Sequence, residues 1–169
     1  MKNNNDATHI GYFVKGKIVE QLFEMMIRED PNHTFTVIPF GYEKTTPELA
    51  QYQELIKNYE TLKVIRQSPD FILIKNDKTE VHFVEVKYRR EFNELVAKDM
   101  KASAEELLKY WSGAWLFMAT QAGFFFDSGE EIIINNGVMR KLDETVITPD
   151  IQNKYLEVLR EFVRVENNK

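Results

Sequence analysis

Between Ser68 and Lys87 lie two runs of β-branched and aromatic residues. They are Phe71-Ile72-Leu73-Ile74 and Val81-His82-Phe83-Val84-Glu85-Val86, joined by the polar turn Lys75-Asn76-Asp77-Lys78-Thr79. Short apolar runs bounded by turn formers predict the two strands of a hairpin. Both faces of each strand are apolar: Phe71 and Leu73 oppose Ile72 and Ile74, and Val84 and Val86 oppose Val81 and Phe83. Strands of this kind are central strands with helices over both sides, which restricts the chain to α/β folds. Three charges interrupt the pattern. Asp70 opens the first strand, and Glu85 and Lys87, two apart and therefore on one face, close the second. An ionised group in a strand core must be desolvated unless it is paired or binds metal, so these three residues carry the functional signal.

At 169 residues a single domain is expected, and a chain of this length buries enough surface to fold without a disulfide or a structural metal. The absence of cysteine excludes a disulfide frame and a thiolate zinc site. A net charge of −5 argues against a broad basic surface gripping nucleic acid non-specifically; it leaves room for a local patch, and the acids of a metal site count toward it. The polar start, Met1-Lys2-Asn3-Asn4-Asn5-Asp6, lacks the apolar core of a signal peptide. The longest apolar stretch, 114–126, is too short and too interrupted to span a bilayer. A cytoplasmic location with no membrane partner is expected.

Around the hairpin, residues 1–10 read as frayed. Val14, Ile18, Leu22, Met25 and Met26 then predict a helix over about 13–29, stopped by Asp30-Pro31-Asn32 and carrying Glu20 and Glu24 one turn apart. Residues 34–41 predict a strand, with Pro39 placing it at an edge or a strand end. Thr46-Pro47-Glu48 opens a helix to about 63. Leu95, Met100, Ala104, Leu107, Leu108 and Trp111 predict a helix over 94–110, broken at Ser112-Gly113, and 115–119 reads as a fourth buried strand. Residues 124–126 and 131–134 read as a further hairpin around Asp127-Ser128-Gly129. Thr148-Pro149-Asp150 starts a last helix with Ile151, Tyr155, Leu159 and Phe162 on one face. The order predicts a three-layer α/β domain with a mixed sheet.

Asp70 on one strand can approach Glu85 on the next. With the carbonyl of Val86 they offer oxygen ligands to a hard divalent cation. Such an ion lowers the pKa of a bound water and stabilises charge on a phosphate oxygen, and Lys87 beside it could orient the water or neutralise the phosphate.

Pro69-Asp70 followed by Glu85-Val86-Lys87 on the next strand resembles the PD-(D/E)xK nuclease superfamily, which includes restriction endonucleases and many repair and junction-resolving nucleases. The resemblance covers about 14–120 and leaves 121–169 as a C-terminal extension. It implies a restriction-endonuclease-like α/β/α core with a central mixed sheet, to which the C-terminal hairpin and helix are added. It also implies a DNA endonuclease that uses Mg²⁺ or Mn²⁺. Many members carry an acid on the first helix after a glycine. Gly16-Lys17-Ile18-Val19-Glu20 fits, which makes Glu20 the third carried-over acid and Glu24 its rival. The implied catalytic set is Asp70, Glu85, Lys87 and Glu20, with Asp70, Glu85, Val86 and Glu20 as metal ligands.

Arg89, Arg90 and Lys101 are candidate contacts to nucleic-acid phosphates, a solvated loop and a wet helix face being the alternatives. His82 reads as structural, and the Trp111, Trp115 and Phe124–Phe126 aromatics as core. A double-strand cut would be served by a homodimer. The competing function is a non-catalytic nucleic-acid-binding or assembly module that keeps the nuclease fold.

Overall fold

The computed structural model of the chain describes residues 4–45 and 64–167. In chain order these form α1 (Asn4–Glu29), β1 (Phe35–Pro39), α2 (Tyr42–Thr45), β2 (Phe71–Lys75), β3 (Val81–Tyr88), α3 (Glu94–Leu108), β4 (Trp115–Thr120), β5 (Gly123–Ser128), α4 (Gly129–Ile134) and α5 (Pro149–Asn167). The strands make one mixed sheet in the order β1-β2-β3-β4-β5. β1, β2 and β3 are an antiparallel meander, β3 and β4 are parallel, and β4 and β5 are antiparallel. The parallel step is the one bridged by a helix, α3, as a crossover connection requires.

Alternation along β4 divides the core. Phe117 and Ala119 join Val19, Phe23, Met26, Phe71, Leu73, Val84 and Val86 under α1 and α5. Leu116 and Met118 face Met100, Ala104, Leu107 and Ile132 under α3 and α4. Helices therefore lie on both sides of the sheet. Phe23 locks α1 down, its ring 5.4 Å from Phe71 and 4.6 Å from Phe117. Burial on this scale contributes about 2–3 kcal/mol per large side chain.

The predicted hairpin forms as read, with Phe71 opposite Val84 and Leu73 opposite His82. β1 is an edge strand and Pro39 is its last residue, where a missing N–H costs no ladder bond. The helix read over 94–110 ends at Leu108, with Asn93 as its N-cap. Leu95 was placed on its apolar stripe, but it is 75% exposed: the buried face runs through Ala97, Met100, Ala104 and Leu107 instead. The helix read over about 46–63 lies outside the described residues.

Two expectations are corrected. Residues 4–10, read as frayed, are the first turns of α1; once a helix is nucleated, adding polar residues to its start costs little. The second hairpin, read from 124–126 and 131–134, does not form. β5 pairs with β4 across a tight turn at Gln121-Ala122, with Gly123 at φ 148°. Residues 131–134 belong to α4. Ser128 ends the strand by capping that helix, its hydroxyl accepting from the Glu131 N–H at 3.2 Å, and Glu130 and Glu131 occupy the first turn, where acids are favoured. A six-residue helix is too short for its apolar residues to show a period distinct from a strand's.

α5 starts where read, and Tyr155, Leu159 and Val163 form its buried face. Its entry is fixed by Asp30, a buried acid at the end of α1, which accepts from the Thr148 N–H at 2.8 Å. Among the described residues no helix is long and apolar enough to cross a membrane.

Candidate active site

β2 and β3 pair only as far as Phe71 with Val84. One residue earlier the chain turns toward β1: the Asp70 carbonyl accepts from the N–H groups of Phe40 (2.9 Å) and Gly41 (3.2 Å). β3 continues to Tyr88, so Val86 has lost its ladder partner in β2. The Asp70 side chain replaces it, and Val86 N–H donates to Oδ2 at 2.8 Å. One residue thus ties β1 through its carbonyl and β3 through its carboxylate, and the strands part beneath it. In an extended strand a residue's N–H and C=O leave from the same edge, so the Val86 carbonyl faces the same opening.

The opening is a cleft of about 460 Å³. Asp70, Glu85 and Lys87 line it from the hairpin and Lys17 and Glu20 from α1. Glu43 and Lys44 contribute from α2, Arg66 and Gln67 from the segment before β2, and Ser103 and Glu106 from α3. Glu85 and Lys87 share a face as their spacing requires, and they pair at 2.6 Å. Glu20 is 8% exposed. Its carboxylate is held between Lys17, at 3.1 Å, and Lys44, at 3.3 Å. Lys17 also reaches Glu43 at 2.7 Å. The ammonium of Lys44 sits 3.9 Å over the ring of Phe71, a favourable cation–π position. The lattice Glu43–Lys17–Glu20–Lys44 ties α2 to α1 at the rim of the cleft.

Asp70 stands apart electrostatically. Burial and the charges of Glu85 and Glu20 push its carboxyl up to about 8, against the opposing pull of the Val86 N–H and Lys87. Desolvation and like charge both disfavour the ionised form, so near neutrality this acid holds a proton in the absence of another cation. Lys17 is also shifted up, which for a lysine favours the charged form. Burial pulls its ammonium down, but the hydrogen bonds and charges of Glu43 and Glu20 outweigh this and hold it above the usual lysine value.

The structure thus brings Asp70, Glu85, Lys87 and Glu20, from three elements, to one cleft. The rival helix acid, Glu24, lies off it and pairs with Arg28 at 2.8 Å. Arg89, Arg90 and Lys101 also lie off it. Arg89 is bound to Asp99 and to the Tyr88 carbonyl, Arg90 is exposed on the loop after β3, and Lys101 reaches Asn136 at 3.1 Å. His82 stacks edge-on against Trp115 and Phe35, a packing role as read. The cationic residues that do line the cleft with Lys87 are Lys17, Lys44 and Arg66. The charge pattern Lys17-x-x-Glu20 held one sign of this, since residues three apart are neighbours on a helix. Nothing local marked Lys44 or Arg66.

Among the described residues no three His, Asp or Glu side chains stand together in the arrangement of a preformed metal site; Glu20 and Glu85 are each turned to a lysine. No protein-family model matches the chain, and no curated protein is similar enough in sequence to count as a relative.

Proposed function

We propose that the chain is a metal-dependent nuclease that hydrolyses phosphodiester bonds in DNA, with a restriction-endonuclease-like core of the PD-(D/E)xK kind. The observation that carries the reading is the meeting of Glu20, Asp70, Glu85 and Lys87 in one cleft. The succession α1, β1, β2, β3, α3, β4, with its antiparallel meander and parallel fourth strand, supports it.

The donors fit a hard divalent cation, because they are oxygens alone: the carboxylates of Asp70, Glu85 and Glu20 and the carbonyl of Val86. These residues would hold Mg²⁺ or Mn²⁺, whose chemistry is to acidify a bound water and stabilise charge on the phosphate. The raised Asp70 carboxyl supports the same reading, since a partly buried acid facing like charges is relieved by a cation as well as by a proton. Lys87, released from Glu85, orients the attacking water or neutralises the phosphate. The Val86 N–H keeps the Asp70 carboxylate aimed at the opening. Val86 itself acts through its backbone, its side chain being buried in the core.

The test is cleavage of plasmid, single-stranded and branched DNA with Mg²⁺ or Mn²⁺, by the wild type, Asp70→Ala and Lys87→Ala. Loss of cleavage in both variants is expected, and activity that survives both unchanged overturns the assignment.

A second reading, a non-catalytic nucleic-acid-binding or assembly module, is favoured by one observation: lysines already neutralise Glu20 and Glu85. Calorimetry with Mn²⁺ separates the two, because complete indifference at millimolar concentration supports the module.

A further inference from the structure

The candidate phosphate contacts read from the sequence lie off the cleft, and cations of a different origin lie in it. Lys17 and Lys44 come from α1 and α2, and both are engaged by acids of the cleft: Lys17 by Glu20 and Glu43, Lys44 by Glu20. Among the described lining residues five are acids and four are bases. These described residues offer a polyanion no net positive charge, and a single divalent cation tips their sum positive. The same ion competes with the lysines for Glu20, since a carboxylate that gives its lone pairs to a metal has fewer left for ammonium donors.

We propose that Lys17 and Lys44 are exchangeable counter-ions: without a divalent cation they neutralise Glu20 and Glu43, and with one bound they turn to the phosphates of a nucleic-acid strand laid in the cleft. The inference rests on the nuclease reading for the place of the cation and goes beyond it in naming the residues that grip the substrate and the order in which cation and substrate bind. Lysine suits this exchange, because its ammonium is a point charge on a flexible stem that can change partners without a fixed fork geometry. Neither lysine is sealed in: their side chains are 38% and 28% exposed. Glu20, the acid between them, is buried and stays in place. The Lys44 ammonium also lies over the Phe71 ring.

Ca²⁺ serves as the probe ion, because its looser coordination supports binding while disfavouring the ordered geometry of hydrolysis. A fluorescein-labelled single-stranded 15-mer is titrated with the protein in EDTA and in Ca²⁺ at several salt concentrations, followed by anisotropy. The wild type should bind at least tenfold more tightly in Ca²⁺. Each phosphate contact to a single strand contributes about 0.7 to the slope of log K against log salt. The double variant Lys17→Gln/Lys44→Gln should therefore lower the Ca²⁺ slope by roughly 1.4. Lys17→Arg/Lys44→Arg should restore it, and Arg89→Gln, off the cleft, should leave it unchanged. Melting curves of each variant confirm that it is folded.

An unchanged slope in the folded Gln variant overturns the proposal, as does equal affinity in EDTA and Ca²⁺ or no binding at all. The nuclease reading is scored separately by Mg²⁺ and Mn²⁺ cleavage. Cleavage with an unchanged slope removes this inference alone. A lowered slope without cleavage keeps the exchange and assigns it to a binding module.

Discussion

Asp70, just before β2, and Asp127, within β5, are handled in opposite ways. Asp127, in β5, is fully buried. Its carboxylate accepts from the N–H groups of Ser128 and Arg140 and from the Arg140 guanidinium, at 2.5–3.1 Å. Four hydrogen bonds reach its two oxygens. Asp70, at the head of β2, takes one backbone N–H and faces Glu85 and Glu20. A buried acid surrounded by donors holds structure together. An acid facing acids works against it, and is relieved by a proton or by a cation. The same chain thus separates a structural aspartate from a candidate catalytic one by their partners, where burial alone would rank Asp127 first.

The largest effect that can break this contrast is on cleavage. Asp70→Ala should lower the rate about a thousandfold, the several kcal/mol that a metal site supplies to phosphoryl chemistry, with its melting temperature held or raised. Asp127→Ala should do the reverse. It leaves the part-buried N–H groups of Ser128 and Arg140 without their partner, at about 2–3 kcal/mol, while the largely exposed Arg140 guanidinium finds water. A fall in melting temperature of roughly 6–10 °C is expected for a chain of this size, with cleavage per folded molecule unchanged. If Asp127→Ala abolishes activity in folded protein, or Asp70→Ala unfolds it, the roles have been assigned the wrong way round.

A finer contrast lies one turn apart on α1. Glu20 is held in the cleft by two lysines, and Glu24 is half-buried beside it and paired with Arg28. Glu20→Gln should cost about 10- to 100-fold in metal-dependent cleavage, the usual scale for a residue supporting a metal site. Glu24→Gln should leave the rate alone and change stability by less than ~0.5 kcal/mol, as surface i,i+4 pairs do. Equal rates for the two variants would remove Glu20 from the site.

These contrasts were legible to different depths. Asp70, Glu85 and Lys87 stood out because strand alternation is strict: charges spaced by two must share a face, and an apolar hairpin gives them a background. Glu20 was readable as a helix acid, but choosing it over Glu24 needed the packing of α1 on the sheet. Lys44 and Glu43 were not readable at all, because their role depends on where the chain turns at Gly41 after β1, which is set by Asp70 accepting from two N–H groups. Asp127 read as a turn residue, since its partner Arg140 lies thirteen residues on and no local pattern links them. The strand-to-helix switch at Ser128 was missed because one capping hydroxyl decides it.

The pH dependence of stability is the most direct reading of the environment of Asp70. Its carboxyl lies near 8 in the folded chain and near 3.9 when unfolded. Between those values the native state holds a proton that the unfolded state has lost, so stability falls as pH rises through this window. Below it the contribution is fully present, and above pH 8 it is gone. Asp70→Asn cannot ionise, yet its amide oxygen still accepts from Val86 N–H. In EDTA its melting temperature should equal that of the wild type near pH 4 and exceed it at pH 8.5, the gap opening steadily between. Mg²⁺ or Mn²⁺ should close the gap at pH 8.5, because the wild type alone exchanges its proton for the ion. A pH-independent difference would mean that Asp70 is satisfied as Asp127 is, and the distinction between the two would rest on position alone.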